Sequence, residues 1–328
     1  MADTSTSYMG LEMKNPVLAA SSGLTDSLNG ILKCDAAGVG GVVLKSIFEE
    51  QLISEKDVYD KYSNIYPEAV DYLREGGLLE YAPQKIFQMI DKAKQKTDIP
   101  IIASINCRSP KLWPTFAEQF QDAGADGLEL NIYSLPLELE KSGSEYEQQY
   151  LDILKSIKKV VSIPVAVKLN HQITSLPYLT NRLSDAGCDG LVFFNWFLEP
   201  DVRLDTLSTN NIKGKGDFHR TLRWVALLAG RIDCDISSSG GVRNGKDLIK
   251  HILAGASCVQ ICTIFYEKGL EQTKEILNEL KTWMDEKKFQ SIQEFQGELS
   301  LKNQQLSFKD MGEAQSYFRA QYLKTFKK

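Results

Sequence analysis

A phrase that recurs four times along the chain constrains its fold more than any other feature. In each copy a helix-like segment ends at Ala-Gly, a short turn follows, and an apolar run begins; the copies span 36–44, 122–130, 185–193 and 253–261. Glycine suits the residue after a helix because that position commonly needs a positive φ. Each copy therefore predicts the end of a helix followed by the start of a buried strand.

A second type of strand lies between these copies and is entered through proline or an acidic turn. Its four members span 15–20, 99–104, 163–168 and 234–239. The two types alternate strictly, and each run is followed by an amphipathic helical pattern. Short apolar strands that alternate with helices indicate a parallel sheet covered on both faces. Eight such units in 328 residues predict an α/β protein with a single (β/α)₈ TIM barrel.

An open doubly wound sheet is the alternative fold, although the GxGxxG turn that such a sheet normally carries after an early strand is missing. We interpret residues 1–328 as one domain. Long segments follow three of the strands, at 47–80, 135–146 and 196–219, which predicts long loops at the C-terminal face of the barrel, where active sites lie. Beyond a predicted helix over 271–288, residues 289–328 form a C-terminal helical extension that we expect to pack on the barrel or on a second subunit.

Composition and charge exclude several classes of function. The net charge of −5 and the pI near 5.5 argue against binding to nucleic acid or to an anionic membrane surface. No apolar stretch approaches the roughly 20 residues of a membrane span, and no signal-peptide pattern is present, so we predict a cytoplasmic protein. The six cysteines form no C-x-x-C pair, which predicts buried free thiols and no metal site.

The ends of the seventh and eighth predicted strands carry a candidate phosphate site. Gly240 and Gly241 follow the seventh strand, and Cys262 and Thr263 follow the eighth. Glycines let the backbone approach a phosphate closely, and in TIM barrels these two loops frequently bind one. The alternative is that the two glycines only form a tight turn into the next helix.

Polar residues also end four other predicted strands. Lys45 and Lys168 each close an apolar run, so each is expected at the barrel mouth, where a lysine stabilises negative charge. Asn131 and Asn195 are placed similarly, and an amide presents a donor and an acceptor to the edge of a planar heterocycle. The alternatives are solvated lysines and turn-forming asparagines. Ser134, just beyond the fourth strand, is either a loop cap or a hydroxyl that moves a proton with help from another group.

Together these residues resemble the dihydroorotate dehydrogenase family, including the flavin barrel of dihydropyrimidine dehydrogenase, over about 11–269. The resemblance implies non-covalent FMN, oxidation of a dihydropyrimidine, and a homodimer. It places Ala20, Ser21, Lys45 and Ser46 at the flavin, with Ser134 as the base that removes a proton. It also assigns the flavin to Asn131, Lys168, Asn195, Gly240, Gly241, Cys262 and Thr263, and the pyrimidine to Asn131 and Asn195.

The chain departs from the family pattern on the substrate side. Where the family has S-C-P-N, the chain has Tyr-Ser-Leu-Pro, so that Pro136 replaces an asparagine. Trp196 replaces the Ser or Thr that follows Asn195 in the family, and Asn64 is only a loose counterpart of a substrate-loop asparagine. These changes predict that FMN binding is retained while the preference among substrates differs.

Three functions are compatible with these residues. The first is an FMN-dependent oxidoreductase that oxidises dihydroorotate or a related dihydropyrimidine, in pyrimidine biosynthesis. The second is a flavin-binding paralogue without pyrimidine turnover, and the third is a barrel without flavin that acts on a phosphorylated metabolite. Any iron–sulfur partner would be a separate subunit, because the cysteine spacing offers no cluster site.

Overall fold

Eight parallel strands close into a barrel in the computed structural model, which describes residues 2–49, 83–107, 109–132, 136–196, 198–213 and 217–303 together with residues 312 and 316. The barrel strands are β3 (Val17–Ala19), β4 (Gly41–Val43), β6 (Ile101–Asn106), β7 (Gly127–Asn131), β8 (Val165–Asn170), β9 (Gly190–Asn195), β12 (Asp235–Ser239) and β13 (Cys258–Ile261). Each pairs with the next in this order, and β13 pairs with β3 to close the ring. The predicted TIM barrel is confirmed, and the open sheet is excluded.

Helices surround the barrel and connect its strands. They are α1 (Leu28–Ala37), α2 (Pro83–Lys94), α3 (Leu112–Asp122), α4 (Gly143–Lys158), α5 (Leu176–Asp185), α6 (Phe218–Leu228), α7 (Gly245–Ala254), α8 (Thr263–Lys268) and α9 (Gln272–Lys287). The repeated Ala-Gly phrase ends four of them: Gly38, Gly124, Gly187 and Gly255 all have positive φ, between 86° and 113°. The four repeated phrases therefore mark where a helix ends and the next barrel strand approaches.

The N-terminal end of the barrel is closed by a hairpin that the sequence patterns do not predict. Strands β1 (Thr6–Tyr8) and β2 (Leu11–Met13) pair antiparallel, and Tyr8 and Met9 at the turn join an apolar layer inside the barrel. A side chain at Gly190 would lie 2.8 Å from Met9 and 2.9 Å from the Tyr8 hydroxyl. Glycine at the start of β9 therefore makes room for this hairpin.

Two other segments lie outside the barrel. Strand β5 (Ile47–Phe48) adds a short pairing beside β6, and β10 (Leu198–Arg203) with β11 (Ser208–Lys213) forms a hairpin in the long segment after β9. After α9, Phe295 is buried and its ring contacts Trp283 edge-on at 5.0 Å.

Single-domain organisation over 1–328 stays a prediction, and the part of the extension from 304 onward lies almost entirely outside the described residues. No helix in the described part of the chain is long and apolar enough to cross a bilayer.

The cysteines are free thiols with two degrees of burial. Cys34, Cys107, Cys188 and Cys258 are buried, whereas Cys234 and Cys262 are only partly buried. The expectation of six buried thiols is therefore wrong for these two, because each lies beside a barrel strand, just before β12 or just after β13, and is not inside the barrel wall.

Candidate active site

Five polar side chains from five neighbouring parts of the barrel form a hydrogen-bonded row at the C-terminal ends of the strands. The Ser46 hydroxyl lies 3.2 Å from the Ser21 hydroxyl and 2.7 Å from that of Ser104. Asn131 donates its amide N–H to Ser46 Oγ at 3.2 Å, and Asn195 donates to Asn131 Oδ1 at 2.5 Å. We call these five residues the polar row. They meet because the carboxyl ends of parallel barrel strands share one face.

A buried ionic cluster lies within the barrel beside the polar row, since Glu129 is aligned with Ser104 and Lys168 with Asn131. Lys168 Nζ donates to Glu129 Oε1 at 3.2 Å and to Gln260 Oε1 at 3.3 Å, and Gln260 Nε2 donates to Glu129 Oε2 at 2.6 Å. The side chains of Glu129 and Lys168 are 1% and 9% exposed. Each carboxylate oxygen therefore has a partner, which a buried charge requires.

The two strand-end lysines have different surroundings, although the sequence places them alike. The side chain of Lys45 is 41% exposed, and its ammonium lies 4.0 Å from Asp26. Lys168 instead turns into the barrel and pairs with Glu129, so the expectation that it projects into the mouth is not what the structure shows. The reason is the alternation of side chains along β8: Lys168 points inward, as Ala166 does two residues earlier.

The loop after β12 is packed against two aromatic side chains. Gly240 and Gly241 have φ of 112° and 82°, conformations that favour glycine. A side chain at Gly240 would lie 2.3 Å from the Trp196 indole nitrogen, and one at Gly241 would lie 2.8 Å from Phe218. Trp196 donates its indole N–H to Ser239 O at 3.2 Å, and the His171 ring stacks on the indole at 4.8 Å. Trp196 is thus held across the loop that we predict to bind phosphate.

Replacing Gly240 by alanine is expected to lower the free energy of unfolding by roughly 2–4 kcal/mol. A positive φ costs a non-glycine residue roughly 1–2 kcal/mol, and the collision with Trp196 adds to this. Gly10→Ala is the matched control, because Gly10 has φ of 74° and nothing within 4 Å of the added carbon. Urea unfolding of both variants, and of Gly240→Ala combined with Trp196→Ala, measures the collision separately. Equal losses for the two glycine variants would show that Trp196 does not crowd this loop.

Of the remaining predicted site residues, three are among the described residues and two are not. Ala20 is buried, and its N–H donates to Ile261 O at 2.9 Å, across the β3–β13 junction. Cys262 precedes α8, and Thr263 is exposed at its first position. Ser134 and Asn64 lie outside the described residues. No group of three or more His, Cys, Asp or Glu side chains in the described ranges is arranged to hold a metal.

Sequence reasoning missed four residues of this region: Ser104, Glu129, Gln260 and His171. The first three do carry a signal. Each is a polar residue inside an apolar strand, two residues along the strand from another side chain that faces the barrel interior. Because side chains alternate between the two faces of a strand, this spacing could have placed it inside the barrel. His171 carries no such signal, because its contact with Trp196 joins two loops that are distant in sequence.

A closed parallel barrel with converging polar groups at the C-terminal ends of its strands defines the TIM-barrel class of enzymes. Within this class, the sequence model of the family described as dihydroorotate dehydrogenase matches residues 4–284. The chain belongs to the dihydroorotate dehydrogenase family, whose members are flavin-dependent oxidoreductases acting on CH–CH groups.

Curated archaeal proteins are similar to the chain over nearly their whole length. One from Thermoplasma acidophilum is 28% identical over 310 residues, covering 90% of this chain and 99% of the relative. One from Pyrococcus furiosus is 29% identical over 304 residues, covering 88% and 96%. One from Methanocaldococcus jannaschii is 28% identical over 295 residues, covering 86% and 93%. Each is named as the catalytic subunit of dihydroorotate dehydrogenase B (NAD(+)).

Proposed function

We propose that this chain is an FMN-dependent oxidoreductase that oxidises dihydroorotate or a related dihydropyrimidine. The polar row carries the proposal. It places hydroxyl and amide groups from five parts of the barrel side by side at the C-terminal face, and such a set matches the alternating carbonyl and N–H groups of a pyrimidine or flavin ring.

The residues present fit FMN by their chemistry. Gly240 and Gly241 have the backbone conformation of a glycine loop, and with Cys262 and Thr263 they would hold the phosphate. The ring would lie against Ala20, Ser21, Lys45, Ser46, Asn131, Lys168 and Asn195, the residues that the family resemblance assigns to it. When bound, the flavin would supply the acceptor for a hydride.

The chain's own residues would bind and orient the substrate and move its proton. The amides of Asn131 and Asn195 are hydrogen-bonded to each other, which orients them before substrate binds and reduces the entropic cost of recognition. Lys45 and Lys168 would stabilise negative charge on the reduced ring. Ser134 is proposed to remove the substrate proton, directly or through water, and Asn64 to contact the substrate; both lie outside the described residues.

The proposal is tested by mixing the holoprotein anaerobically with dihydroorotate, dihydrouracil and dihydrothymine while following flavin absorbance. We expect one of them to bleach the flavin within seconds. Asn131→Ala is expected to lower the second-order rate constant roughly 10- to 100-fold, since a lost hydrogen bond in the site costs about 1.4–3 kcal/mol. Asn181→Ala, an exposed asparagine on α5, is the control and should leave the rate unchanged. If all three compounds leave the flavin oxidised, the substrate assignment fails.

A flavin-binding paralogue without pyrimidine turnover is the second candidate function. Its support is Trp196, which the chain has in place of the family's Ser or Thr and which packs against Ser239 and Gly240. Tight FMN binding together with no reduction by any dihydropyrimidine would favour this candidate. A purified protein that never takes up FMN would contradict both candidates. It would favour the third function, a barrel without flavin that acts on a phosphorylated metabolite.

The relatives' names suggest an assembly. Because they are catalytic subunits of an NAD(+)-using enzyme, we propose that electrons leave this chain for a separate subunit. A cytoplasmic homodimer is also proposed, on the family resemblance. Light scattering of the purified chain tests the dimer, and co-purification from its native host tests the separate subunit.

A further inference from the structure

Two cysteines lie together at the end of the barrel opposite the polar row. A cleft of about 780 Å³ opens there beside the N-terminal ends of β9 and β12, and both Cys188 and Cys234 line it, with Ser184, Asp189 and Asp233. Cys234 is partly buried, whereas Cys188 is 4% exposed and lies deeper. The Cys188 thiol donates to Gly190 O at 2.9 Å, and both side chains face the same cleft.

The strand register sets the distance between the two backbones. In the β9–β12 pair, Asp235 is aligned with Gly190, and the Asp235 N–H also donates to Asp189 O at 3.1 Å. The two backbones are therefore still adjacent one residue before the first aligned pair. Cys234 is therefore offset from Cys188 by one residue across neighbouring strands. A strand spacing of about 4.8 Å and a rise of about 3.3 Å place their Cα atoms about 6 Å apart. Disulfides form across distances of about 4.4–6.8 Å.

The surroundings give the two thiols different reactivity. The neighbouring Cys188 and Ser184 side chains lower the pKa of Cys234, although burial and the charges of Asp235 and Asp189 oppose this shift. Burial raises the pKa of Cys188. Ser184 is itself held in place, because its hydroxyl accepts the Asp233 N–H at 2.9 Å. The more exposed and more acidic thiol is the one that reacts first with an oxidant in solution.

We propose that Cys188 and Cys234 form a redox-active dithiol that hydrogen peroxide oxidises to a disulfide, which a thiol reductant reverses. Cys234 thiolate attacks the terminal peroxide oxygen; an S–O bond forms, the O–O bond breaks, and hydroxide leaves, taking up a proton as water. Cys188 sulfur then attacks Cys234 sulfur; the S–S bond forms, the S–O bond breaks, and the thiol proton leaves with the hydroxyl as a second water. The two thiols lose two electrons, and the peroxide gains them.

The charges around the cleft favour an uncharged oxidant. Asp189, Asp233 and Asp235 line the cleft together with one lysine, Lys302, and Asp189 is paired with Lys158 at 2.8 Å. The carboxylates outnumber these lysines, so an anionic disulfide such as oxidised glutathione would meet a net negative charge. Hydrogen peroxide carries no charge and meets no such repulsion. Cys188 and Cys234 lie just before β9 and β12, which are already paired in the barrel, so closing the bond requires little backbone movement.

The test treats the full-length holoprotein with equimolar hydrogen peroxide, blocks the remaining thiols by alkylation, and maps the products by mass spectrometry. We expect two of the six cysteines to become protected, one crosslink between Cys188 and Cys234, and full recovery of six alkylated thiols after dithiothreitol. In Cys188→Ser, Cys234 should accumulate as a sulfenic acid that dimedone traps. In Cys234→Ser, Cys188 should stay alkylatable. Cys34→Ala, which removes a buried thiol of α1, is the control and should keep the crosslink.

Three results would each overturn the proposal. The first is six alkylatable thiols at a tenfold excess of peroxide, the second is a disulfide that involves another cysteine, and the third is oxidation of Cys188 in Cys234→Ser as fast as oxidation of Cys234 in Cys188→Ser. The experiment needs no dihydropyrimidine and no flavin turnover, so its outcome is independent of the proposed function.

Discussion

Lys168→Met is expected to lower the free energy of unfolding by about 3–5 kcal/mol, because removing one partner of a buried ion pair leaves the other charge uncompensated. The partner here is Glu129, 1% exposed inside the barrel, whose two carboxylate oxygens accept from Lys168 and Gln260. After the substitution only the Gln260 amide would remain to satisfy the carboxylate. Equilibrium urea unfolding of the variant beside the native chain measures the loss.

Lys45→Met is the matched control for this prediction. Lys45 follows β4, but its side chain is 41% exposed and its ammonium lies 4.0 Å from Asp26, so we expect a loss of less than about 1 kcal/mol. The double variant Lys168→Met/Glu129→Leu is expected to recover much of the lost stability, since apolar residues of similar volume can replace a buried ion pair. Similar losses for Lys168→Met and Lys45→Met would argue that the cluster is not held by its buried charges.

The stability of the chain is expected to fall by about 1.4 kcal/mol for each pH unit below pH 6.5 on account of His251 alone. His251 is fully buried on α7, its Nδ1 lies 3.0 Å from the Ser238 hydroxyl, and the Phe218 ring contacts it edge-on. Burial, with a smaller contribution from the charge of Lys250, lowers the pKa of His251 to about 3. Below pH 6.5 the unfolded chain therefore binds one more proton than the folded chain, and this stabilisation is lost as the pH falls toward 3.

The measurement is the free energy of unfolding at a series of pH values between 7.5 and 5. His251→Gln keeps a polar group that can pair with Ser238 but does not titrate, so its pH slope is expected to be shallower than that of the native chain by about 1.4 kcal/mol per pH unit. His219→Gln, which changes an exposed histidine, should keep the native slope. Parallel slopes for the native chain and His251→Gln would contradict the buried, uncharged state of this histidine.

The sequence patterns predicted the barrel because each of its eight strands carries a local signal. The Ala-Gly phrases depend on a helix end at which glycine adopts positive φ, and this requirement acts over a few residues only. The hairpin of β1 and β2 has no comparable signal. It is recognisable only once Tyr8 and Met9 are seen to fill the space beside Gly190.

The candidate site likewise combines positions that the sequence predicts with contacts that only the structure shows. The positions of Lys45, Asn131, Asn195, Gly240 and Gly241 at the C-terminal face follow from the sequence, since a residue at the end of a parallel barrel strand lies at that face. Lys168 lies two residues before the end of β8 and turns into the barrel. Which of these residues contact one another does not follow. Lys168 and Lys45 have the same sequence context, yet one is buried against Glu129 and the other is partly exposed beside Asp26.

By itself, the sequence determined the barrel, the face that carries the site, and the family to which the chain is similar, because periodicity and turn chemistry are local. Only the tertiary structure decided that Ser46 joins Asn131 and Ser104 in one row, and that Trp196 packs on Gly240. It also decided that Cys188 and Cys234 line the same cleft. These contacts join residues that are tens of positions apart, and their geometry is set by the closure of the barrel and by the alternation of side chains between its inside and outside.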